Sequence, residues 1–484
     1  MFTNILNTLD DIVWGIPTII LILATGLLLT IRLRGVQFAK LGLGIKSLFK
    51  KPDGGKGELS PFQALCTALS ATIGTGNIVG VATAIAAGGP GALFWMWFAA
   101  LLGTATKYTE CMLAVKYREH AADGHVLGGP FYTIEKGMKE VTGHSWKWLA
   151  ALFAIFGVAA GLLGIGTMTQ INGITSAVNN AFDPSSANIA ITIGENSYTW
   201  ATVISGAIVT LGVALVVIGG LKRISKVAEK VVPAMAVVFI FGSLVVIFAH
   251  ANTIPAIFGL IFKGAFTGQA IAGGALGWVV KNALSKGVAR GLFSNEAGMG
   301  STPHAHAVAK VPHPAEQGYI AMIGVFIDTF IILDLTAFVV IGSYIAPNVN
   351  NPEIFNEGGS LVLSGAALAQ AGFSSLYGSF GNIFIALCLT FFAFSTVIGW
   401  YFFGEANWRY LFGTKSLKIY AFIVALCVFF GAWVITAGVD VESVWTLQDA
   451  LNGLMVIPNL IGILALTGVA VATLKENIEK FGLK

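Results

Sequence analysis

Two short stretches of this sequence place closely spaced glycines and polar residues inside apolar segments. Residues 70–77 read Ser-Ala-Thr-Ile-Gly-Thr-Gly-Asn, and residues 294–301 read Ser-Asn-Glu-Ala-Gly-Met-Gly-Ser. Because glycine costs about 1 kcal/mol relative to alanine inside a helix, a helix is expected to unwind at each stretch. Unwound backbone offers N–H groups to an anion such as a carboxylate, and carbonyl groups to a hard cation such as Na⁺. The alternative is that these glycines only allow close helix packing.

Further polar residues lie within apolar segments. Gln170 belongs to the segment Thr-Met-Thr-Gln-Ile-Asn-Gly, where hydrogen bonds between helices explain it equally well. Ser395 and Thr396 are adjacent, and such hydroxyls commonly bond to carbonyls of their own helix. Asp328 and Asp334 are candidates for an ion or proton path, with packing and pairing as equal alternatives.

Two basic residues precede the second glycine stretch. Lys286 and Arg290 are four positions apart and share a helix face. They are expected either to line an outer vestibule or to pair with Glu296.

Long apolar segments position these residues. The chain has 484 residues, of which 56% are hydrophobic and only 11% charged, so most of its surface must face lipid. Since a bilayer core needs about 20 apolar residues in a helix, we predict eleven transmembrane helices, at residues 11–33, 61–87, 90–117, 146–181, 199–219, 231–250, 274–309, 316–345, 376–404, 416–436 and 450–474. The glycine stretches interrupt the second and seventh of them.

Basic residues orient the predicted helices. Most of the 28 Lys and Arg residues fall in every second loop, which places those loops in the cytoplasm. Segments 182–198, 345–375 and 437–449 contain acidic residues and no Lys or Arg. The pattern predicts a multi-pass protein of the plasma (inner) membrane, with its N-terminus outside and its C-terminus cytoplasmic.

The two glycine stretches also indicate an internal repeat. Gly74 and Gly76 match Gly298 and Gly300 at a constant separation, which also superimposes neighbouring predicted helices. Each unit holds five helices, an odd number, so the second unit is inverted relative to the first. The predicted units are an extra N-terminal helix with a cytoplasmic loop (residues 1–58), a first five-helix repeat (59–250), a second five-helix repeat (251–474) and a cytoplasmic tail (475–484). The fold class is therefore an all-α polytopic membrane protein.

Secondary transport is the function that this organisation favours, because inverted repeats place a substrate near the membrane midplane between discontinuous helices. The sequence contains no GxxxxGK[ST], which disfavours an ATP-driven pump. It contains neither HExxH nor paired catalytic carboxylates in one predicted helix, which disfavours a membrane-embedded enzyme. An ion channel remains an alternative, which saturable Na⁺-dependent counterflow distinguishes.

Three motifs resemble one known family. Gly74-Thr-Gly-Asn-Ile-Val-Gly80, Gly128-Gly-Pro-Phe-Tyr-Thr-Ile-Glu-Lys-Gly137 and the segment from Arg290 to His306 are similar to those of the alanine or glycine:cation symporters, the sodium:alanine symporters. The likeness runs over nearly the whole chain. It implies Na⁺-coupled uptake of alanine, with glycine and D-alanine as further candidates, on a leucine-transporter-like fold with an added N-terminal helix. It implies no enzyme activity, no cofactor beyond Na⁺ as coupling ion, a lipid bilayer around the chain, and no nucleic-acid partner.

The resemblance also implies site residues. By analogy with the wider fold, the backbone N–H groups of Thr75 and Gly76 bind the substrate carboxylate, and the Thr72 carbonyl faces its ammonium group. The remaining expected substrate contacts are Asn77, Gln170, Phe293, Ser294, Asn295 and Glu296. The expected Na⁺ ligands are carbonyl or hydroxyl oxygens of Ser70, Ile73, Phe392, Ser395 and Thr396.

Overall fold

A computed structural model describes residues 2–49, 55–121, 124–193, 196–266, 276–355, 361–434 and 441–482. Over these residues the chain is mostly helical. Eight helical segments of the described chain are long and apolar enough to cross a membrane: Leu6–Arg32, Lys147–Phe182, Trp200–Val217, Gly220–Ala249, Pro314–Asn348, Ser379–Phe412, Thr414–Gly431 and Ser443–Ala465.

The N-terminal part forms four helices: α1 (Phe2–Val13), α2 (Ile16–Arg32), α3 (Val36–Ala39) and α4 (Leu41–Leu48). The first apolar segment is divided at Trp14 and Gly15, where Gly15 adopts an extended conformation before Pro17 in the first turn of α2. Helix α1 packs against the C-terminal part of the chain.

Between residues 55 and 249, the described residues form nine helices: α5 (Pro61–Thr72), α6 (Val79–Gly88), α7 (Gly91–Lys116), α8 (Pro130–Tyr132), α9 (Lys139–Thr142), α10 (Lys147–Leu163), α11 (Met168–Phe182), α12 (Trp200–Val217) and α13 (Gly220–Ala249). A 3₁₀ turn lies at Thr75–Asn77 and a π-helical turn at Thr133–Met138. Two antiparallel hairpins, β1 (Glu119–His120) with β2 (Val126–Leu127) and β3 (Ile189–Ile193) with β4 (Asn196–Thr199), connect helices.

The C-terminal half contains ten helices over its described residues: α14 (Ile254–Phe266), α15 (Leu276–Asn295), α16 (Pro303–Ala307), α17 (Pro314–Ile327), α18 (Asp334–Val339), α19 (Gly365–Tyr377), α20 (Ser379–Phe412), α21 (Leu417–Val434), α22 (Val441–Ala465) and α23 (Thr467–Phe481). Single 3₁₀ turns lie at Ala251–Thr253, Ala346–Asn348 and Thr414–Ser416. Helix α18 lies between π-helical turns at Asp328–Leu333 and Val340–Ile345, so the segment from Pro314 is continuous although its winding changes.

The predicted segment 146–181 differs from its prediction, because it consists of α10 and α11 rather than one helix. The chain leaves the helix at Gly164, whose φ of −115° and ψ of −130° are not helical, and resumes it at Met168. Gly166 lies against the Gly161 backbone, where a Cβ atom would come within 2.5 Å of the carbonyl oxygen. The glycines of Gly-Leu-Leu-Gly-Ile-Gly thus produce a third interruption.

The outer surface of the molecule is apolar along its helices. Helix α12 exposes Ile204, Ile208, Leu211 and Leu215, which recur at three- and four-residue spacing on one face. On a helix that is long and apolar enough to cross a membrane, an exposed stripe of this kind fits a surface that faces lipid. The chain is therefore a multi-pass membrane protein.

The interrupted helices lie inside the molecule. Helix α5 packs against α13 and α20, while α6 and α7 pack against α15. Helix α5 begins at a capping box, in which Ser60 and Gln63 each accept the other's backbone N–H with Pro61 at the first helical position. This strong start fixes the direction in which α5 approaches its interruption.

Candidate functional site

The first interruption is a tight turn at the end of α5. Ile73 leaves the helix with a ψ of 88°, Gly74 is extended, and residues 75–77 form the 3₁₀ turn before α6. The Asn77 side chain closes the turn, because its Oδ1 accepts the Gly74 N–H at 3.0 Å. The helix is therefore interrupted where the glycines lie, and backbone groups are freed from helical hydrogen bonding in the interior.

Gln170 on α11 accepts a hydrogen bond from one of these freed backbone groups. The Thr75 N–H donates to Gln170 Oε1 at 3.1 Å, and Gln170 Nε2 donates to the Ile165 carbonyl at 3.0 Å. Gln170 is only 1% exposed. The amide oxygen thus accepts from the Thr75 N–H group to which the family resemblance assigns a carboxylate oxygen of the substrate. Gln170 therefore contacts the turn, while its contact with a substrate remains a prediction.

The predicted sodium ligands meet where α5 and α20 touch. Thr396 Oγ1 lies 3.4 Å from the Ile73 carbonyl oxygen and 3.1 Å from the Phe392 carbonyl oxygen. The Ser395 hydroxyl donates to the same Phe392 carbonyl at 2.8 Å. Ser70 Oγ donates to the Thr67 carbonyl within α5. Hydroxyl and carbonyl oxygens are the ligands that hard cations prefer, so the donor set matches Na⁺ in chemical type.

Close packing at this point depends on glycine. A Cβ atom on Gly74 would overlap the Thr396 hydroxyl oxygen and would lie 3.0 Å from Gln170 Oε1. Gly74 therefore lets one turn of backbone approach both the candidate sodium residues and the candidate substrate residue.

The second interruption follows α15. Glu296, Gly298 and Gly300 have positive φ angles of 53°, 87° and 81°, so the chain turns sharply before α16. Positive φ is unusual for a residue with a side chain, and the conformation at Glu296 must be held by its surroundings.

Several buried partners hold Glu296. Its carboxylate accepts the Ser301 hydroxyl and the Trp400 indole N–H, the latter at 2.8 Å. Its backbone carbonyl accepts the Lys107 ammonium at 3.0 Å, and Lys107 also donates to Thr302 Oγ1 at 2.6 Å. These three contacts of Glu296, with Ser301, Trp400 and Lys107, stabilise the turn, and its role in substrate binding remains a prediction.

A second acidic residue completes this network. Glu110 lies 3.6 Å from the Lys107 ammonium, accepts the Gly298 N–H at 3.3 Å, and accepts Asn459 Nδ2 at 2.9 Å. Sequence reasoning did not assign Lys107, Glu110, Trp400 or Asn459 to the site. The signal that could have identified them is the charge of Lys107 and Glu110 inside an apolar segment.

Asp328 connects the two interruptions. Its Oδ1 accepts the Asn77 side-chain N–H at 2.7 Å, and its Oδ2 accepts the Ser294 hydroxyl at 2.9 Å. Asp328 also begins a π-helical turn, a local winding that is frequent at functional sites. Asn295 donates to Thr329 Oγ1 at 3.1 Å. The predicted site residues Asn77, Ser294 and Asn295 are therefore brought together around Asp328 and its neighbour, although Asn77 is far in the chain from the other two.

Phe293 lies against the first interruption. A Cβ atom on Gly76 would lie 3.0 Å from the Phe293 ring, and one on Gly80 would lie 3.5 Å from it. On the other side the Phe293 ring packs edge-on against Trp445, with ring centroids 6.2 Å apart. Phe293 thus separates the glycine turn from α22.

Arg290 and its contacts form what we call the Arg290 cluster, consisting of Arg290, Phe293, Trp445 and Asp449. The guanidinium pairs with the Asp449 carboxylate through two contacts of 2.9 and 2.7 Å, and lies 5.7 Å from both the Phe293 and Trp445 ring centroids. The alternative in which Arg290 pairs with Glu296 is wrong, because Glu296 lies past the end of α15 among the buried partners already described.

Comparison with known protein families and sequences finds matches over nearly the whole chain. The model of a family described as the sodium:alanine symporter family matches residues 1–481. The sodium/alanine symporter AgcS of Methanococcus maripaludis is 41% identical over 481 residues, which cover 98% of this chain and 97% of that protein. The probable sodium/glutamine symporter GlnT of Bacillus subtilis is 38% identical over 480 residues, which cover 98% of this chain and 90% of that protein.

The fold also has a counterpart among solved structures. The crystal structure of MhsT in complex with L-phenylalanine matches with a TM-score of 0.54 at 15% identity, covering 87% of this chain and 98% of that chain. At this identity the likeness shows the fold alone.

Proposed function

Because the chain belongs to the sodium:alanine symporter family, we propose that it is a Na⁺-coupled symporter that imports a small neutral amino acid by alternating access. Alanine is the proposed main substrate, with glycine and D-alanine as further substrates. The family consists of transporters rather than enzymes, and the predicted resemblance is confirmed by the match over residues 1–481.

The proposed topology retains eleven membrane-spanning helices, of which the first is extra and the others form an inverted five-plus-five repeat. Residues 59–250 and 251–474 are the two repeats, the N-terminus is outside, and the tail 475–484 is cytoplasmic. The alternation of Lys- and Arg-rich loops supports this orientation in the plasma (inner) membrane. The interruptions after Thr72 and Asn295 support the pairing of the repeats.

Na⁺ binding is the proposed first step. The ion enters between the end of α5 and α20, where Thr396 Oγ1 lies 3.4 Å from the Ile73 carbonyl. The further proposed ligands are Ser70, Phe392 and Ser395. By joining α5 to α20, the ion would order the unwound turn to which the substrate binds, so that binding of one favours binding of the other.

The amino acid is proposed to bind at the turn itself. Its carboxylate accepts the N–H groups of Thr75 and Gly76 and replaces the Gln170 amide oxygen that now accepts from Thr75 at 3.1 Å. The hydrogen bond from the Thr75 N–H to the Gln170 amide oxygen is the observation that supports the proposal, because it identifies a buried N–H donor whose present partner is a neutral side chain. The ammonium group meets the Thr72 carbonyl and the end of α15, at residues 293–296.

A small side chain is favoured by what surrounds the turn. Phe293 packs over Gly76, and the Thr75 methyl group is directed at Gly173, where a Cβ atom would come within 2.5 Å of it. Alanine and glycine add at most one methyl group beyond the backbone atoms, so they demand the least additional space. A larger side chain requires Phe293 or α11 to move.

Glutamine is a second candidate substrate, because the chain is 38% identical to the probable sodium/glutamine symporter GlnT. Because the glutamine side chain is longer than that of alanine, its transport requires Phe293 or α11 to move further from the turn. Competition between the two amino acids therefore distinguishes the candidates.

Counterflow in proteoliposomes tests the proposed function. Vesicles loaded with unlabelled L-alanine are diluted into labelled L-alanine with Na⁺ or with K⁺, and glycine, D-alanine and glutamine are added as competitors. The proposal predicts saturable exchange that requires Na⁺ and is inhibited by glycine and D-alanine. Exchange of equal rate in K⁺ would contradict Na⁺ coupling, and inhibition by glutamine alone would select the second candidate.

A further inference from the structure

The N-terminal helices make contacts with the Arg290 cluster that none of the proposed transport steps requires. The Trp14 indole N–H donates to the Asp449 backbone carbonyl at 2.8 Å. Trp14 is 8% exposed and the preceding Val13 is 3% exposed. A buried tryptophan at the junction of α1 and α2 is therefore attached directly to the residue that pairs with Arg290.

Side-chain packing reinforces this attachment. Gly453 lies one helical turn after Asp449 on α22, and a Cβ atom there would overlap the Val13 side chain and would lie 3.3 Å from Trp14 Nε1. Helix α1 thus approaches α22 at a distance that only glycine allows. The hydrogen bond and the close approach fix the start of α22 against α1.

The Arg290 cluster covers the first interruption from that side. The bidentate pair between Arg290 and Asp449 joins α15 to α22, and both side chains are largely buried, at 12% and 18% exposure. Phe293, one turn after Arg290, packs over Gly76, where substrate is proposed to bind. For a solute to reach Gly76 from this direction, α15 and α22 must separate and the ion pair must break.

We propose that α1 and α2 brace the closed external entrance, and that Trp14 is a positioning residue that holds Asp449 in place for Arg290. This inference rests on the proposed function for its meaning in transport. The brace biases the protein toward the closed entrance, and substrate or Na⁺ enters when the Arg290 cluster opens. Weakening the brace therefore increases the population that is open to the outside.

Two variants weaken the brace by different means. Trp14→Phe removes the indole N–H and keeps most of the aromatic volume, while Gly453→Ala forces Val13 away from α22. Since one hydrogen bond is worth about 1 kcal/mol net, Trp14→Phe is expected to shift the opening equilibrium about threefold to tenfold. Gly453→Ala is expected to shift it in the same direction, because the added methyl group overlaps Val13. Trp146→Phe is the matched tryptophan control, because its indole donates to Thr142 Oγ1 at an exposed position. Gly468→Ala is the matched glycine control, because nothing lies within 4 Å of the added methyl group.

Hydrogen exchange on the full-length protein in nanodiscs, without Na⁺ or amino acid, reports opening directly. Faster exchange is expected in residues 285–295 and 443–453 of Trp14→Phe and Gly453→Ala, with the rest of the chain and both controls unchanged. Uniformly faster exchange along the chain would indicate loss of stability alone and would overturn the proposal, as would exchange equal to that of the unsubstituted protein.

Na⁺ titration of uptake supplies the second readout. A larger open population lowers the external Na⁺ concentration for half-maximal uptake, because apparent affinity scales with the competent fraction. A merely structural role lowers the maximal rate and leaves this concentration unchanged, which would overturn the proposal. If the unsubstituted protein shows no Na⁺-dependent uptake, the proposed function fails, whereas the exchange measurement still decides whether the brace exists.

Discussion

Thr396 is the residue at which the first interruption and α20 meet. Its hydroxyl lies 3.4 Å from the Ile73 carbonyl, and the adjacent Ser395 hydroxyl shares the Phe392 carbonyl. Both hydroxyls lie within hydrogen-bonding distance of carbonyl groups that the proposed Na⁺ would also have as ligands. Removal of these hydroxyls is therefore expected to act on Na⁺ rather than on the amino acid.

The double substitution Ser395→Ala/Thr396→Ala is expected to raise the Na⁺ concentration for half-maximal alanine uptake at least about tenfold, a loss of about 1.4 kcal/mol of binding. Na⁺ titration of uptake measures the change. Thr390→Ala is the matched control on the same helix, since the Thr390 hydroxyl donates only to the Ala386 carbonyl in the described structure. Unchanged Na⁺ affinity in the double variant would remove the proposed sodium site.

Gly74→Ala is expected to abolish uptake, because the added methyl group overlaps the Thr396 hydroxyl and crowds Gln170. The turn would have to move away from both partners. Gly468→Ala, in open surroundings, is expected to transport normally. Substrate binding by Gly74→Ala at normal affinity, measured by calorimetry on purified protein, would show that the close approach is not required.

Sequence reasoning located the residues of the first interruption but not their partners. Closely spaced glycines in an apolar segment predict unwinding, since glycine weakens a helix wherever it lies. Which hydroxyl or amide then meets the freed backbone depends on packing between helices. The pairing of Thr396 with Ile73 was implied only by resemblance, and the link from Asp328 to Asn77 and Ser294 was not foreseen.

Among the elements, α7 is the one that stabilises the second interruption. Lys107 and Glu110 lie one turn apart on α7 and contact the backbone at Glu296 and Gly298, respectively. These contacts cross from α7 to the unwound segment between α15 and α16. The positive φ of Glu296 is therefore maintained by charges that belong to a different helix.

Lys107→Met is expected to destabilise the protein by about 3–5 kcal/mol, because it leaves the Glu110 carboxylate buried without its cation and the Glu296 backbone carbonyl without its donor. Thermal unfolding in detergent measures the loss. Lys147→Met, at an exposed position at the start of α10, is the matched control. The double variant Lys107→Met/Glu110→Gln is expected to recover part of the stability, and a melting temperature unchanged by Lys107→Met would contradict the assigned role.

Boundaries of elements were less predictable than their existence. Each predicted apolar segment coincides with at least one described helix, but 146–181 is divided at residues 164–167. Glycine permits that division, but glycine also occurs in uninterrupted helices, as Gly157 does in α10. Tertiary contacts decide between the two outcomes, and they are not readable from spacing.

At the scale of the whole molecule, the proposed orientation in the membrane rests on the sequence alone. The positive-inside pattern predicts that the segment 182–198 is outside and that 409–418 is cytoplasmic. The four native cysteines are free and buried, so single introduced cysteines can report the two sides.

Ser185→Cys is expected to react with a membrane-impermeant maleimide in intact cells, whereas Lys415→Cys is expected to react only after permeabilisation. Both positions are exposed. The unsubstituted protein is the control for labelling of native thiols. The opposite pattern of labelling would reverse the proposed orientation.

Family membership was predictable from the motifs because they extend over much of the chain and one of them, from Arg290 to His306, is long. The structure gives residues of this motif physical roles. Arg290 pairs with Asp449, Phe293 packs over Gly76, and the Glu296 side chain accepts the Trp400 indole N–H at the second interruption. The contact between α1 and α22 was not predictable, because it joins Trp14 to Asp449 across almost the full length of the chain.

Accumulation of L-alanine in proteoliposomes under an inward Na⁺ gradient tests Na⁺-coupled import most directly. Coupling predicts that internal labelled alanine rises above its external concentration and falls back to equilibrium when a Na⁺ ionophore removes the gradient. Uptake that stops at equilibrium with the Na⁺ gradient intact would contradict coupled transport by this protein.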